Sequence, residues 1–167
     1  LLWDLPAALH VLDYDNDGQL DIWLSGFRPT DGSVPGQFLT SLYRRAGEGF
    51  EDVTAETGLT QWTGHRFVIP GDFDNKGYVD ALTLGGEMLF LRNNGGGAFE
   101  ALPLGESLSF PHGAVGTLLD VEGDGWLDVA TAYRIPRLVS NRTTLPNSAF
   151  TVRFEQEVPP IGAVVRA

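Results

Sequence analysis

Val11-Leu-Asp-Tyr-Asp-Asn-Asp-Gly-Gln-Leu-Asp-Ile22 is the stretch whose reading decides the fold, because the chain writes it three times. Pro70-Gly-Asp-Phe-Asp-Asn-Lys-Gly-Tyr-Val-Asp-Ala81 and Leu118-Leu-Asp-Val-Glu-Gly-Asp-Gly-Trp-Leu-Asp-Val129 align with it without a gap. Each copy is a nine-residue acidic loop between β-rich flanks such as Leu9-His-Val-Leu12 and Leu20-Asp-Ile-Trp-Leu24. The first aspartates, Asp13, Asp72 and Asp120, recur with a period near 50 residues, which suits one propeller blade better than a helical repeat.

A second element recurs between the loops. Leu42-Tyr-Arg-Arg-Ala-Gly-Glu-Gly-Phe-Glu51 lines up with Leu91-Arg-Asn-Asn-Gly-Gly-Gly-Ala-Phe-Glu100, each reading as strand, glycine turn, strand. Leu138-Val-Ser-Asn141 begins a weaker third copy that lacks the glycine turn before Phe150. The expectation is all-β: three repeats of four short antiparallel strands, over about 7–59, 60–110 and 111–158. One strand precedes each acidic loop, one follows it, and two form the hairpin. Gly26 to Gly36 reads as a loop inserted in the first repeat, Thr54 to Gly58 as at most one helical turn, and residues 159–167 as the start of a further strand.

The loops carry the chemistry. Calcium takes about six to eight oxygens at roughly 2.3–2.6 Å. Carboxylates at loop positions 1, 3, 5 and 9 with the carbonyl of position 7 supply most of such a shell. In the first loop these are Asp13, Asp15, Asp17 and Asp21 with Gln19. Position 6, where the chain must bend round an ion, is glycine each time: Gly18, Gly77 and Gly125. An EF-hand would need a glutamate at position 12 and flanking helices, and position 12 is Leu24, Thr83 or Thr131. The third loop offers Asp120, Glu122, Asp124 and Asp128. The second has Asp72, Asp74 and Asp80, but Lys76 stands at position 5, so an ammonium is expected to replace the ion there. The competing reading is three polar turns rich in Asp, Asn and Gly. Three copies in register, each with mutually repelling carboxylates, favour a bound cation.

Composition supports this. Of the 22 acidic residues, half lie in the loops, four, three and four in turn, and the formal net charge is −11. That excludes a phosphate-tracking nucleic-acid binder. No apolar run approaches the ~18 residues of a membrane span. Cysteine is absent, which excludes disulfides and thiolate metal sites.

Asp-x-Asp-x-Asp-Gly-x-x-Asp between strands resembles the FG-GAP/VCBS repeat of integrin-α-type β-propellers. Phe50-Glu-Asp-Val-Thr-Ala-Glu-Thr-Gly-Leu59 and the Leu91–Glu100 segment are similar to repeats of the CRTAC/ASPIC-UnbV group, and Ile161-Gly-Ala-Val-Val165 is loosely similar to the segment that follows them. The resemblance implies calcium-binding propeller blades forming part of a larger propeller or assembly. It implies ligands at Asp13, Asp15, Asp17, Gln19, Asp21, Asp120, Glu122, Asp124, Trp126 (carbonyl) and Asp128, and a weak or lost site at Asp72, Asp74, Tyr78 and Asp80.

The function expected is a non-catalytic scaffold, secreted, extracellular or periplasmic, that mediates protein contact, adhesion or self-assembly. The alternative is a carbohydrate-binding module accessory to a larger secreted enzyme, with Trp62 or Trp126 as the stacking platform; Trp23, alternating with Ile22 and Leu24, is expected inside a blade. A calcium-dependent lyase would need a base beside the ion, and Lys76 is the sole basic residue within a loop. His10, His65 and His112 precede the loops at unequal offsets and read as loop or core histidines. Asn141-Arg-Thr143 is a glycosylation sequon.

Overall fold

The computed structural model describes residues 5–28, 36–104, 109–110 and 114–142. The protein is all-β, and its main sheets are antiparallel with four, four and three strands. Sheet one runs β1 (Leu5–Leu12), β2 (Asp21–Arg28), β3 (Gln37–Ala46) and β4 (Gly49–Asp52) in sequence order. After a single turn of 3-10 helix, Leu59–Gln61, sheet two follows with β5 (Phe67–Gly71), β6 (Asp80–Leu84), β8 (Leu89–Asn93) and β9 (Phe99–Pro103). Sheet three has β11 (Val115–Leu119), β12 (Asp128–Tyr133) and β13 (Ile135–Val139). A two-residue ribbon, β7 (Gly86–Glu87) with β10 (Ser109–Phe110), ties the second sheet to the segment entering the third. Each acidic loop joins the first two strands of its sheet, as its flanks predict. Among the described residues no closed ring of blades forms, and no helix is long and apolar enough to cross a membrane.

Sheet two is buried on both faces, and strand alternation explains how. Val68, Ala81, Leu89, Leu91 and Phe99 face sheet one and meet Trp23 and Leu42. Ile69, Leu82 and Leu84 face sheet three and meet Val129, with Leu118 and Val139 alongside. Successive side chains point to opposite faces, so β6, buried along its whole length, serves two interfaces at once. Trp23 is fully buried, lies 5.0 Å from the Phe99 ring and donates Nε1–H to Thr40 Oγ1 at 2.5 Å. Trp23 therefore packs across the interface between two sheets, rather than only within its own.

Two expectations about the hairpins change. The register pairs Arg44 with Glu51 and Arg92 with Glu100, each closed by an ion pair (3.1 and 2.7 Å). Arg44 therefore corresponds to Arg92 rather than to Asn93, and the turn of the second hairpin is one residue longer. The inserted loop of the first repeat is also shorter than read. β2 continues through Gly26 to Arg28 and β3 begins at Gln37, with Phe27 and Phe38 in edge contact at 5.4 Å. That aromatic cross-strand pair supports the extension. Residues 29–35, and the expected fourth strand and tail within 143–167, lie outside the described residues.

Removing the ring that joins the first two sheets tests this packing. Trp23→Ala is expected to cost about 3–5 kcal/mol in urea unfolding, while Val11→Ala, at a site 57% exposed, stays within about 0.5 kcal/mol.

Candidate metal centre

The three loops share one hydrogen-bonded frame, and it begins at position 1. Asp13 accepts the amides of Asp17 (3.1 Å) and Gly18 (2.9 Å). Asp72 accepts those of Lys76 (3.0 Å) and Gly77 (2.7 Å), and Asp120 those of Asp124 (3.1 Å) and Gly125 (2.9 Å). Bending the chain back onto that carboxylate demands the left-handed region at position 6, where Gly18, Gly77 and Gly125 have φ of 84°, 83° and 85°. Position 4 is left-handed as well: Asn16 at 59°, Asn75 at 51° and Gly123 at 70°. Asparagine and glycine are the residues that tolerate it.

Position 9 closes the frame from the buried side. Asp21, Asp80 and Asp128 are 0–2% exposed. Each takes one amide from loop position 2, Tyr14 (3.2 Å), Phe73 (3.2 Å) or Val121 (3.1 Å). Each takes a second, at 2.8 Å, from the end of the third strand or just beyond it: Arg45, Asn93 or Asn141. The pattern thus marks position 9 as a fastener between loop and sheet, in addition to its place among the carboxylates.

On this frame the carboxylates converge unequally. In loop one Asp13, Asp15 and Asp21 bring an oxygen each within 4.8 Å of one another, and in loop two Asp72, Asp74 and Asp80 do the same. Asp17 stands apart, accepting Gln19 N at 2.7 Å and Gln19 Nε2 at 3.0 Å. In loop two the Lys76 ammonium is hydrogen-bonded to Asp74 Oδ2, so a cation already neutralises part of that cluster. Tyr78 packs under the second hairpin, where a Cβ on Gly95 would meet its ring at 2.9 Å. The third loop is not among the converging groups. There Asp124 accepts Trp126 N (3.0 Å) and Glu122 leans on Asp128 and Arg142.

Charge balance follows the same ranking. Burial pushes Asp21 up, and Asp15 and Asp17 add to the rise against the Arg45 and Tyr14 amides. Burial carries Asp80 further, to about 6, with Asp74 and Asp72 contributing and the Asn93 and Phe73 amides opposing. For Asp128 burial also acts upward, but the Asn141 and Val121 amides, Glu122 and Arg142 outweigh it and leave it lowered. Hydrogen bonding to Asp128 is the main reason that Glu122 is raised. Oxygen-only donors, a carboxylate raised by burial and then by its acidic neighbours, and no basic side chain in the loop make loop one the best fit to a hard divalent ion.

The remaining candidates fall into structural places. His10 donates Nε2–H to the Val68 carbonyl (2.8 Å) between the first two sheets; His112 lies outside the described residues. Asn141, first residue of the sequon, spends its amide nitrogen on the Phe73 carbonyl at 2.9 Å. Trp62 lines a pocket of about 310 Å³ with Thr40, Ser41, Asp52 and Thr60. Sequence reading missed Asn93 and Asn141, although each lies 13 residues beyond a position-9 aspartate. The chain matches no model of a known family and no curated protein at a significant level.

The Asp80 shift has a pH consequence. The ordinary value is 3.8, so between about pH 4 and pH 6 the folded, ion-free protein keeps a proton that the unfolded chain releases. The group therefore subtracts stability as pH rises through that window. Melting in metal-free buffer should show wild type losing stability relative to Asp80→Asn from pH 4 to pH 6; parallel curves would contradict the assignment.

Proposed function

We propose that the chain is a calcium-binding, non-catalytic scaffold that works outside the cytosol, through protein contact, adhesion or self-assembly. The observation that carries the reading is the repeated frame, which draws Asp13, Asp15 and Asp21 together at a strand junction beside a glycine bend. Three like charges so close repel strongly unless a cation sits among them. Asp17 and the Gln19 carbonyl are the further ligands proposed for loop one, and Asp120, Glu122, Asp124, Asp128 and the Trp126 carbonyl for loop three. Calcium, once bound, would supply charge neutralisation and cross-linking of loop to sheet. Millimolar calcium outside cells fills weak sites of this kind, which is why that compartment is proposed. Carboxylates committed to a cation and to amides are poor proton shuttles, which supports a non-catalytic role.

A second reading, a carbohydrate-binding module, is favoured by the Trp62 pocket, where hydroxyls and the Asp52 carboxylate flank an indole. Such a combination suits a sugar ring. Glycan binding that disappears in Trp62→Ala, with calcium binding intact, would support it.

Two measurements test the primary reading. At calcium a hundred times Kd, one site adds about 2.7 kcal/mol, several degrees of Tm at this chain length. An identical Tm in calcium and in excess chelator would overturn it. Lys76→Asp should raise the calcium stoichiometry by one per chain in native mass spectrometry, because the ammonium on Asp74 is then gone; unchanged stoichiometry would show that Lys76 is not what keeps loop two empty.

A further inference from the structure

The cation loops are joined to one another by asparagine side chains, and the joins repeat. Asn16, at position 4 of loop one, donates Nδ2–H to the carbonyl of Gly77, position 6 of loop two, at 2.8 Å. Asn75, at position 4 of loop two, donates in the same way to Gly125 of loop three at 3.0 Å. Returning bonds run underneath. Asn93 Nδ2 donates to the Tyr14 carbonyl of loop one (2.8 Å), and Asn141 Nδ2 to the Phe73 carbonyl of loop two (2.9 Å).

The residues at the far ends of these bonds are themselves held by loop aspartates. Gly77 N–H is gripped by Asp72, and Gly125 N–H by Asp120. Tyr14 N–H is gripped by Asp21 and Phe73 N–H by Asp80, while the Asn93 and Asn141 amides go to Asp80 and Asp128. A continuous hydrogen-bonded path thus runs Asp21, Tyr14, Asn93, Asp80, Phe73, Asn141, Asp128, with a second path over the outer loop surface. Linked amides polarise one another, and the links, 2.8 to 3.2 Å long, offer ordering a contiguous route from one loop to the next. At the two ends the side chains are missing: Gly123 stands at position 4 of loop three, and Arg45 stands where Asn93 and Asn141 stand.

We infer that Asn16 and Asn75 are positioning residues that make the three loops one coupled series, so that an ion in loop one orders loop two. This rests on the calcium reading of loop one. Asn16 lies between the ligands Asp15 and Asp17, so closing loop one on an ion fixes the side chain that holds Gly77. By linkage, loop two in turn favours the ion in loop one.

Amide hydrogen exchange by NMR on the full chain, with and without calcium, tests it using Asn16→Gly. Glycine is the residue that loop three carries at this left-handed position, so the variant keeps the backbone. In the wild type calcium should slow exchange of Asp17 and Gly18 in loop one and of Lys76 and Gly77 in loop two. In Asn16→Gly the loop-one slowing should persist and the loop-two slowing should disappear. Equal loop-two slowing in both proteins would overturn the role of Asn16, and no loop-two slowing in the wild type while loop one responds would overturn the coupling itself; either result leaves calcium binding standing. No slowing at Asp17 and Gly18 would overturn the calcium reading and the coupling with it.

Discussion

A buried carboxylate needs partners for its oxygens, and that need organises this molecule. Asp21, Asp80 and Asp128 are almost wholly removed from solvent, and each is satisfied by two backbone amides from different parts of its own repeat. A hydrogen bond to a charged group contributes about 1.5–3 kcal/mol, and an orphaned one costs more. The loop cannot leave the sheet without exposing that deficit, so its position against the third strand is fixed. The ends of β3 and β8 and Asn141, two residues past β13, serve as the clamp points.

The packing of sheet two explains why the repeats depend on each other. Its strands bury both faces, one against Trp23 and Leu42 and the other against Val129. Sheet one keeps the same kind of apolar face on its outer side, where Leu9 is 59% and Phe50 44% exposed, whereas Phe99, the counterpart of Phe50 in sheet two, is 6% exposed. The difference lies in neighbours, since the residue types match. Repeat arrays behave this way because each unit finishes its core only against the next. Polar bonds then supplement the apolar contact, with His10 reaching Val68 and four asparagine amides crossing between repeats.

Electrostatics and packing meet at the loops. Loop two holds its acids deepest and carries its own cation in Lys76, while loop one draws its acids together without one. Loop three relieves repulsion by sharing hydrogen bonds between Glu122, Asp128 and Arg142. One frame therefore supports three charge balances, decided by the residues at positions 3 and 5.

The sequence by itself determined the all-β class, the strand on either side of each acidic loop, the left-handed glycine at position 6 and the conflict posed by Lys76. Each of these follows from short-range rules: alternation, turn stereochemistry and charge at fixed spacing. Only the tertiary structure decided the hairpin register, because a one-residue difference in turn length is invisible until Arg44 and Arg92 find their glutamates. It also decided which carboxylates converge, since Asp17 turns to Gln19 and Glu122 to Asp128, choices set by competing donors in space. In one dimension Asn16, Asn75 and Asn93 read as ordinary loop and hairpin residues, and Asn141 as part of a sequon and of a weaker third hairpin. Their partners lie 50 to 79 residues away, and contacts at that separation exist only once the sheets have stacked.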